Sequence, residues 1–161
     1  MAENTSDRNK VLAEGKNCWR IARADRVAFL IDGASYFAAF VSAVKLAKRS
    51  VLIVGWDFDS RIQLQHDEEQ QDAAGQLLHF LKAVISRRQD LNIHILIWDF
   101  AVIYALDREL FPTIKLDWQV PRRLHFRLDG NNPLGVSHHQ KIVVVDDAVA
   151  FVGGIDFAKS R

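Results

Sequence analysis

Two hydrophobic periods alternate along the chain. Phe37, Phe40, Val41 and Val44 recur at helical spacing, which predicts a helix over 34–49. Lys45, Lys48 and Arg49 suit its carboxyl end, where cations meet the negative end of the helix dipole. Leu77, Leu78, Leu81, Val84 and Ile85 predict a second amphipathic helix over 74–88. Between them lie short apolar runs rich in β-branched residues. Those at 51–55, 92–98 and 124–128 read as strands, and 26–31 reads as another, closed by Asp32-Gly33. Residues 102–110 read as a helix ending before Pro112, and 66–72 as a polar, acidic loop. Asp129-Gly130-Asn131-Asn132-Pro133 has strong turn chemistry. Residues 1–16 are polar and are expected to form a flexible leader, with one domain over 17–161. Strands alternating with helices predict an α/β class: a layered α/β/α domain on a mainly parallel mixed sheet.

The last quarter changes the picture from fold to chemistry. It reads Ser137-His138-His139-Gln140-Lys141-Ile142-Val143-Val144-Val145-Asp146, then Phe151-Val152-Gly153-Gly154-Ile155-Asp156-Phe157. His139 and Lys141 are two apart beside a β-branched run, so alternation sets both on one face and His138 on the other. An imidazole beside an ammonium suits an anion: the lysine holds a phosphoryl oxygen and the histidine attacks phosphorus. Asp146 stands seven residues past His139, roughly 23 Å along an extended strand. That distance makes it a turn residue. Residues 149–152 form a second apolar run, which predicts an antiparallel hairpin with its turn near Asp147. In that register His139 faces Asp156, which would fix the imidazole tautomer, and Lys141 faces Gly154. Gly153 and Gly154 leave room where a phosphate approaches the backbone.

Composition narrows the classes. The 161 residues suffice for one domain with a real core, and 49% hydrophobic content is globular. A net charge of +1, from 21 basic and 20 acidic residues, gives no global attraction for nucleic acid. The single cysteine, Cys18, cannot form an internal disulfide and fits a reducing compartment. The opening residues have no apolar signal core, and no apolar run approaches a membrane span. A cytoplasmic protein, meeting lipid at a membrane surface as a peripheral partner, is the expectation.

The spacing His139-x-Lys141, four residues, Asp146, six residues, Gly153-Gly154 resembles the HKD motif of the phospholipase D superfamily. Asn17-Cys18-Trp19-Arg20, Gly55-Trp56-Asp57-Phe58-Asp59-Ser60-Arg61 and Leu96-Ile97-Trp98-Asp99-Phe100 resemble the amino-terminal half of bacterial members, so the likeness covers 17–157. Gly153-Gly154-Ile155-Asp156 is similar to the lipase branch, whereas the nuclease and cardiolipin-synthase branches carry Gly-Ser-x-Asn there. The resemblance implies a catalytic set of His139, Lys141, Asp146 and Asp156, with His139 as the nucleophile that forms a phosphohistidine. It implies Lys141, Gly153, Gly154, Trp56 and His138 as substrate-binding residues, and neither metal nor cofactor. The family uses two HKD motifs. Here His66, His79, His94, His125 and His138 are each followed two residues later by something other than lysine, and the sequence ends five residues after Asp156. The chain is therefore expected to be an incomplete first half, inactive without a second HKD half from the full-length protein or another chain. A homodimeric nuclease-like phosphodiesterase and a non-catalytic phosphate-binding fragment are the rivals.

Other residues have bland readings. Trp56, Asp57 and Asp59 follow one predicted strand, and Trp98 and Asp99 end another, where α/β sheets place ligands. Trp56 suits a pocket wall, and the aspartates suit turns and caps. His125, among Arg122, Arg123 and Arg127, suits a solvated basic edge strand better than a phosphate patch. His66, His79 and His94 are too scattered for a metal set.

Overall fold

The chain divides into two compact units, Met1–Leu30 and Ile31–Arg161, and the computed structural model describes residues 11–64, 75–98, 121–131 and 137–158. In the first unit Asn17 closes a turn: its side chain accepts from the Ala13 N–H at 2.7 Å and donates to the Val11 carbonyl at 2.7 Å. The strand expected over 26–31 is not formed; these residues have no regular secondary structure and are all exposed. Val27 and Phe29 carry strand propensity, but propensity without a pairing neighbour does not make a strand.

The second unit begins with α1 (Asp32–Leu46) and β1 (Ser50–Gly55), continues through α2 (Leu77–Ser86), β2 (Asn92–Trp98) and β3 (Leu124–Asp129), and ends in the hairpin of β4 (Ile142–Val145) and β5 (Val149–Val152). The helix expected at 102–110, the loop at 66–72 and Asp99 lie outside the described residues. The sheet order is β3-β2-β1-β4-β5. β1, β2 and β3 run parallel, while β4 is antiparallel to both β1 and β5. The sheet is thus mixed, evenly divided between parallel and antiparallel pairs.

Strand alternation decides where the core lies. Val51, Ile53, Ile93, Ile95, Ile97, Val143 and Val145 are buried on one face and pack with Phe37, Phe40 and Val44 of α1 and Leu77, Leu81 and Ile85 of α2. Among the described residues both helices cover this face. Asp32 starts α1 with a left-handed backbone (φ 74) and accepts the Ser35 N–H at 2.8 Å, the bond of an N-cap. The hairpin turn holds Asp146 and Asp147 at φ 52 and 54, a conformation that Asp tolerates better than most residues.

Candidate active site

The antiparallel pairing of β4 with β1 sets the start of one strand beside the end of the other. Val54 pairs with Ile142, so Lys141 arrives at Gly55 and Trp56. A second anchor comes from Phe157, which is buried against Phe40 at 4.7 Å between ring centroids. Its carbonyl accepts the Asp59 N–H at 2.7 Å. Between the ladder and this anchor, residues 153–156 bend across the end of β1 and carry Asp156 inward.

The result is a small polar cluster walled by tryptophan. Lys141 Nζ lies 2.9 Å from Asp156 Oδ2, and the two side chains are only 7% and 12% exposed. The same ammonium lies 3.3 Å from His139 Nε2 and donates to the His139 carbonyl at 3.4 Å. An ammonium only donates, so Nε2 receives the contact. The Trp56 ring centroid is 5.9 Å from Lys141 Nζ and 5.5 Å from the His139 ring, and the ring stacks on Trp98 at 5.9 Å. Asp156 Oδ1 accepts the Trp56 N–H at 3.1 Å. His139 itself is exposed.

One expected contact is corrected. Asp156 meets Lys141 and not His139. The hairpin register is one residue away from that expected: Ile142 pairs with Val152, and the Gly153 N–H reaches the Lys141 carbonyl at 3.3 Å. The ladder also stops there, so residues 153–156 follow the Phe157 anchor and not the strand.

His138 turns to the opposite face, as alternation requires. Its Nδ1 lies 2.6 Å from Asp129 Oδ2 at the end of β3. The His138 hydrogen bond, with a further one from the Asn131 N–H, holds the Asp129 carboxyl below its ordinary value. A cavity of about 340 Å³ opens beside them, lined by Val54, Leu96, Trp98, Asp129, His138 and Gln140. His138 thus lines this cavity and is not brought to the Lys141 cluster.

Asp146, expected within the catalytic set, stands at the far end of β4. Its carboxylate accepts the N–H groups of Lys48, Arg49 and Ser50 at 2.7, 2.8 and 2.8 Å, and its own N–H returns to the Ser50 carbonyl at 2.9 Å. Burial pushes its carboxyl up, but the three N–H donors and the Arg49 charge outweigh that and leave it lowered. It fastens the entry of β1 to the hairpin turn. Gly153 and Gly154 are exposed, and a Cβ at either would meet nothing within 4 Å. Packing does not require glycine at these two positions. Asp59 is a turn residue held bidentately by Arg61, with both contacts at 2.9 Å. Asp57 accepts the N–H of Phe58 at 2.9 Å.

Arg123 belongs to no phosphate patch. Its guanidinium donates to the carbonyls of Ile85, Arg88 and Leu91, closing the carboxyl end of α2. His125 stacks on His94 at 4.5 Å across the β2–β3 pair, and both are exposed.

Two residues were missed by the sequence reasoning. A Cβ at Gly55 would fall 3.1 Å from Asp156 Oδ1 and 3.3 Å from Ile97 Cδ1, so any other residue would press on the seated carboxylate. A glycine ending an apolar strand was the available signal. Tyr36 of α1 packs on Phe151 and Phe157 at 5.9 and 5.8 Å. Burial, with the nearby charge of Asp156, pushes its phenol up to about 12. The residue lies inside the predicted helix, but nothing in the periodicity singled it out.

Among the described residues no group of three or more His, Cys, Asp or Glu side chains could hold a metal ion. The chemistry on offer is that of an exposed imidazole, an ammonium and a carboxylate beside an aromatic wall.

Fold and site together define an α/β domain with one His-x-Lys cluster at the carboxyl end of a central strand. No protein-family profile matches the chain. Phospholipase D C of Dictyostelium discoideum is 31% identical over 140 residues, covering 81% of this chain and 8% of that protein. Phospholipase D1 of Schizosaccharomyces pombe is 27% identical over 175 residues, covering 93% of this chain and 12% of that protein. The chain spans about a tenth of the length of the curated relatives it matches. Among solved structures, NucT from Helicobacter pylori shares the fold, with a TM-score of 0.51 at 17% identity over 79% of this chain and 70% of that one. The chain belongs to the phospholipase D superfamily.

Proposed function

We propose that this chain supplies one half of a phospholipase D-type phosphodiesterase site acting on phospholipid head groups. The observation that carries the reading is the His139–Lys141 contact of 3.3 Å at the mouth of a tryptophan-walled cluster. In this reading Lys141 Nζ moves its donation from His139 Nε2 to a non-bridging phosphate oxygen. The freed lone pair of His139 attacks phosphorus, a P–N bond forms, and the P–O bond to the head-group alcohol breaks. The departing oxygen needs a proton, and in this reading Lys141 keeps its protons on the non-bridging oxygen and does not supply it. A second HKD half, from a longer chain or another copy, would supply it. Water or an acceptor alcohol then releases the phosphatidyl group from His139, by hydrolysis or by transfer.

The substrate would be met at a membrane surface, with the protein cytoplasmic and peripheral; among the described residues no helix is long and apolar enough to cross a membrane. A nuclease-like homodimer is less well supported, since a net charge of +1 offers no field for a polyanion. The test is choline release from phosphatidylcholine vesicles by the chain alone and by the chain mixed with a carboxyl-terminal HKD half. Turnover only in the mixture is expected. Turnover by neither, with both parts folded, would sink the reading.

A further inference from the structure

We infer that Asp156 acts as a charge filter, admitting a monoanionic phosphodiester beside Lys141 and turning away dianionic phosphate monoesters. The inference rests on the reading of the Lys141 cluster as a phosphate site and names a property that reading does not contain.

Three observations carry it. First, all three ammonium protons are engaged in the free protein: by Asp156 Oδ2 at 2.9 Å, His139 Nε2 at 3.3 Å and the His139 carbonyl at 3.4 Å. An arriving phosphate must share this ammonium with a carboxylate already seated on it. Second, Asp156 cannot swing away freely. Its other oxygen is held by the Trp56 N–H at 3.1 Å, its side chain is 12% exposed, and Phe157 next to it is buried in the aromatic core. The negative charge is fixed and poorly screened. Third, the place is made for it: Gly55 lacks the Cβ that would lie 3.1 Å from Asp156 Oδ1.

The consequence follows from charge. With Asp156 ionised, Lys141 and Asp156 together are neutral, so the site attracts an anion by hydrogen bonding more than by net charge. A diester brings one negative charge and a monoester at slightly alkaline pH brings two. The second charge is repelled by the fixed carboxylate at a few ångströms, which in a partly solvated site is worth about a ten- to hundredfold loss of affinity. Asparagine has almost the same shape and removes the charge, keeping one acceptor oxygen for the Trp56 backbone N–H or for Lys141 and setting an NH2 at the other position. Asp156 is thus a specificity residue acting on total charge, not a proton carrier for His139.

The experiment is calorimetric titration of the full chain at pH 8 with glycerophosphocholine, a diester, and phosphocholine, a monoester. Wild type, Asp156→Asn and Lys141→Ala are compared. The wild type should bind the diester more tightly. Asp156→Asn should raise monoester affinity about ten- to hundredfold and diester affinity by clearly less, collapsing the preference. Lys141→Ala should weaken both. A wild type that binds the two esters equally overturns the filter without any variant having to fold. So does an Asp156→Asn chain whose two affinities change by the same factor, which would leave Asp156 a mere support for Lys141 and the phosphate site intact. Binding of neither ester by the wild type, or binding indifferent to Lys141→Ala, would overturn the phosphate site and the filter with it.

Discussion

At the scale of single residues, the Lys141 ammonium organises the site and the Asp146 carboxylate organises the strand entry. These two members of one sequence motif act at opposite ends of β4. Asp146→Ala removes the acceptor for three backbone N–H groups at 2.7–2.8 Å. Solvent competes at this half-exposed carboxylate, so the loss should be about 1–3 kcal/mol, read as a lowered midpoint in urea. Because the folded carboxyl lies below its ordinary value, its contribution is present above the unfolded value of about 3.9 and disappears as pH falls through the lower folded value. Stability of the parent should drop over that acid window more steeply than that of Asp146→Asn. Equal acid profiles would show that the carboxylate is not a cap. The two adjacent histidines make a second contrast. In a reconstituted assembly His139→Ala should abolish phosphohistidine formation, while His138→Ala, which breaks the 2.6 Å contact with Asp129, should only slow it. Equal losses would remove the distinction between the two faces.

Residue spacing made His139 and Lys141 legible as a pair on one face, and set His138 on the other. It did not yield the partner of Asp156. A strand register gives the partner of residue 156 only where pairing reaches that far, whereas the ladder ends at Ile142–Val152. Beyond that point the burial of Phe157, an aromatic contact distant in sequence, sets the path. Alternation within a strand says nothing about a segment that has left the sheet.

At the scale of elements, helix α2 and the end of β1 depend on single distant residues. The α2 helix offers its Ile85 carbonyl to Arg123, which lies immediately before β3, also holds the Leu91 carbonyl of the α2–β2 connection, and so ties the helix end to the sheet. Charge-assisted bonds of this kind are worth about 1.5–3 kcal/mol each before solvent competes, and Arg123→Ala should cost roughly 2–3 kcal/mol in all. Amide exchange should accelerate first in the last turn of α2; a loss spread evenly over the sheet would contradict the capping role. Gly55→Ala should push Asp156 away and disturb the Lys141 contact, at about 1–3 kcal/mol. Its phosphate-ester affinity should fall more than its stability alone explains. Hydrophobic period predicted both described helices and the strands at 51–55, 92–98 and 124–128, because each buries one face on a shared core. The run at 26–31 has the same composition, and misled for that reason: strand formation needs a partner that composition does not announce.

At the scale of the whole molecule, the central fact is one His-x-Lys motif in 161 residues within a family fold that spans about a tenth of its relatives' length. On the proposed reading this chain supplies a nucleophile and a phosphate ligand and takes its acid from a second half, and general acid catalysis is worth about 100- to 10,000-fold. The chain alone should therefore not turn over phosphatidylcholine, whose alcohol leaves poorly without a proton. A substrate whose leaving group needs no proton separates the nucleophile from the missing acid. The most direct measurement is mass spectrometry of the chain after incubation with bis(4-nitrophenyl) phosphate, with release of 4-nitrophenolate followed in parallel. The account predicts at most one equivalent of 4-nitrophenolate per chain and a 4-nitrophenyl phosphoryl adduct on His139, absent in His139→Ala and in Lys141→Ala. No adduct, or an adduct on His138 or any other side chain, would contradict it.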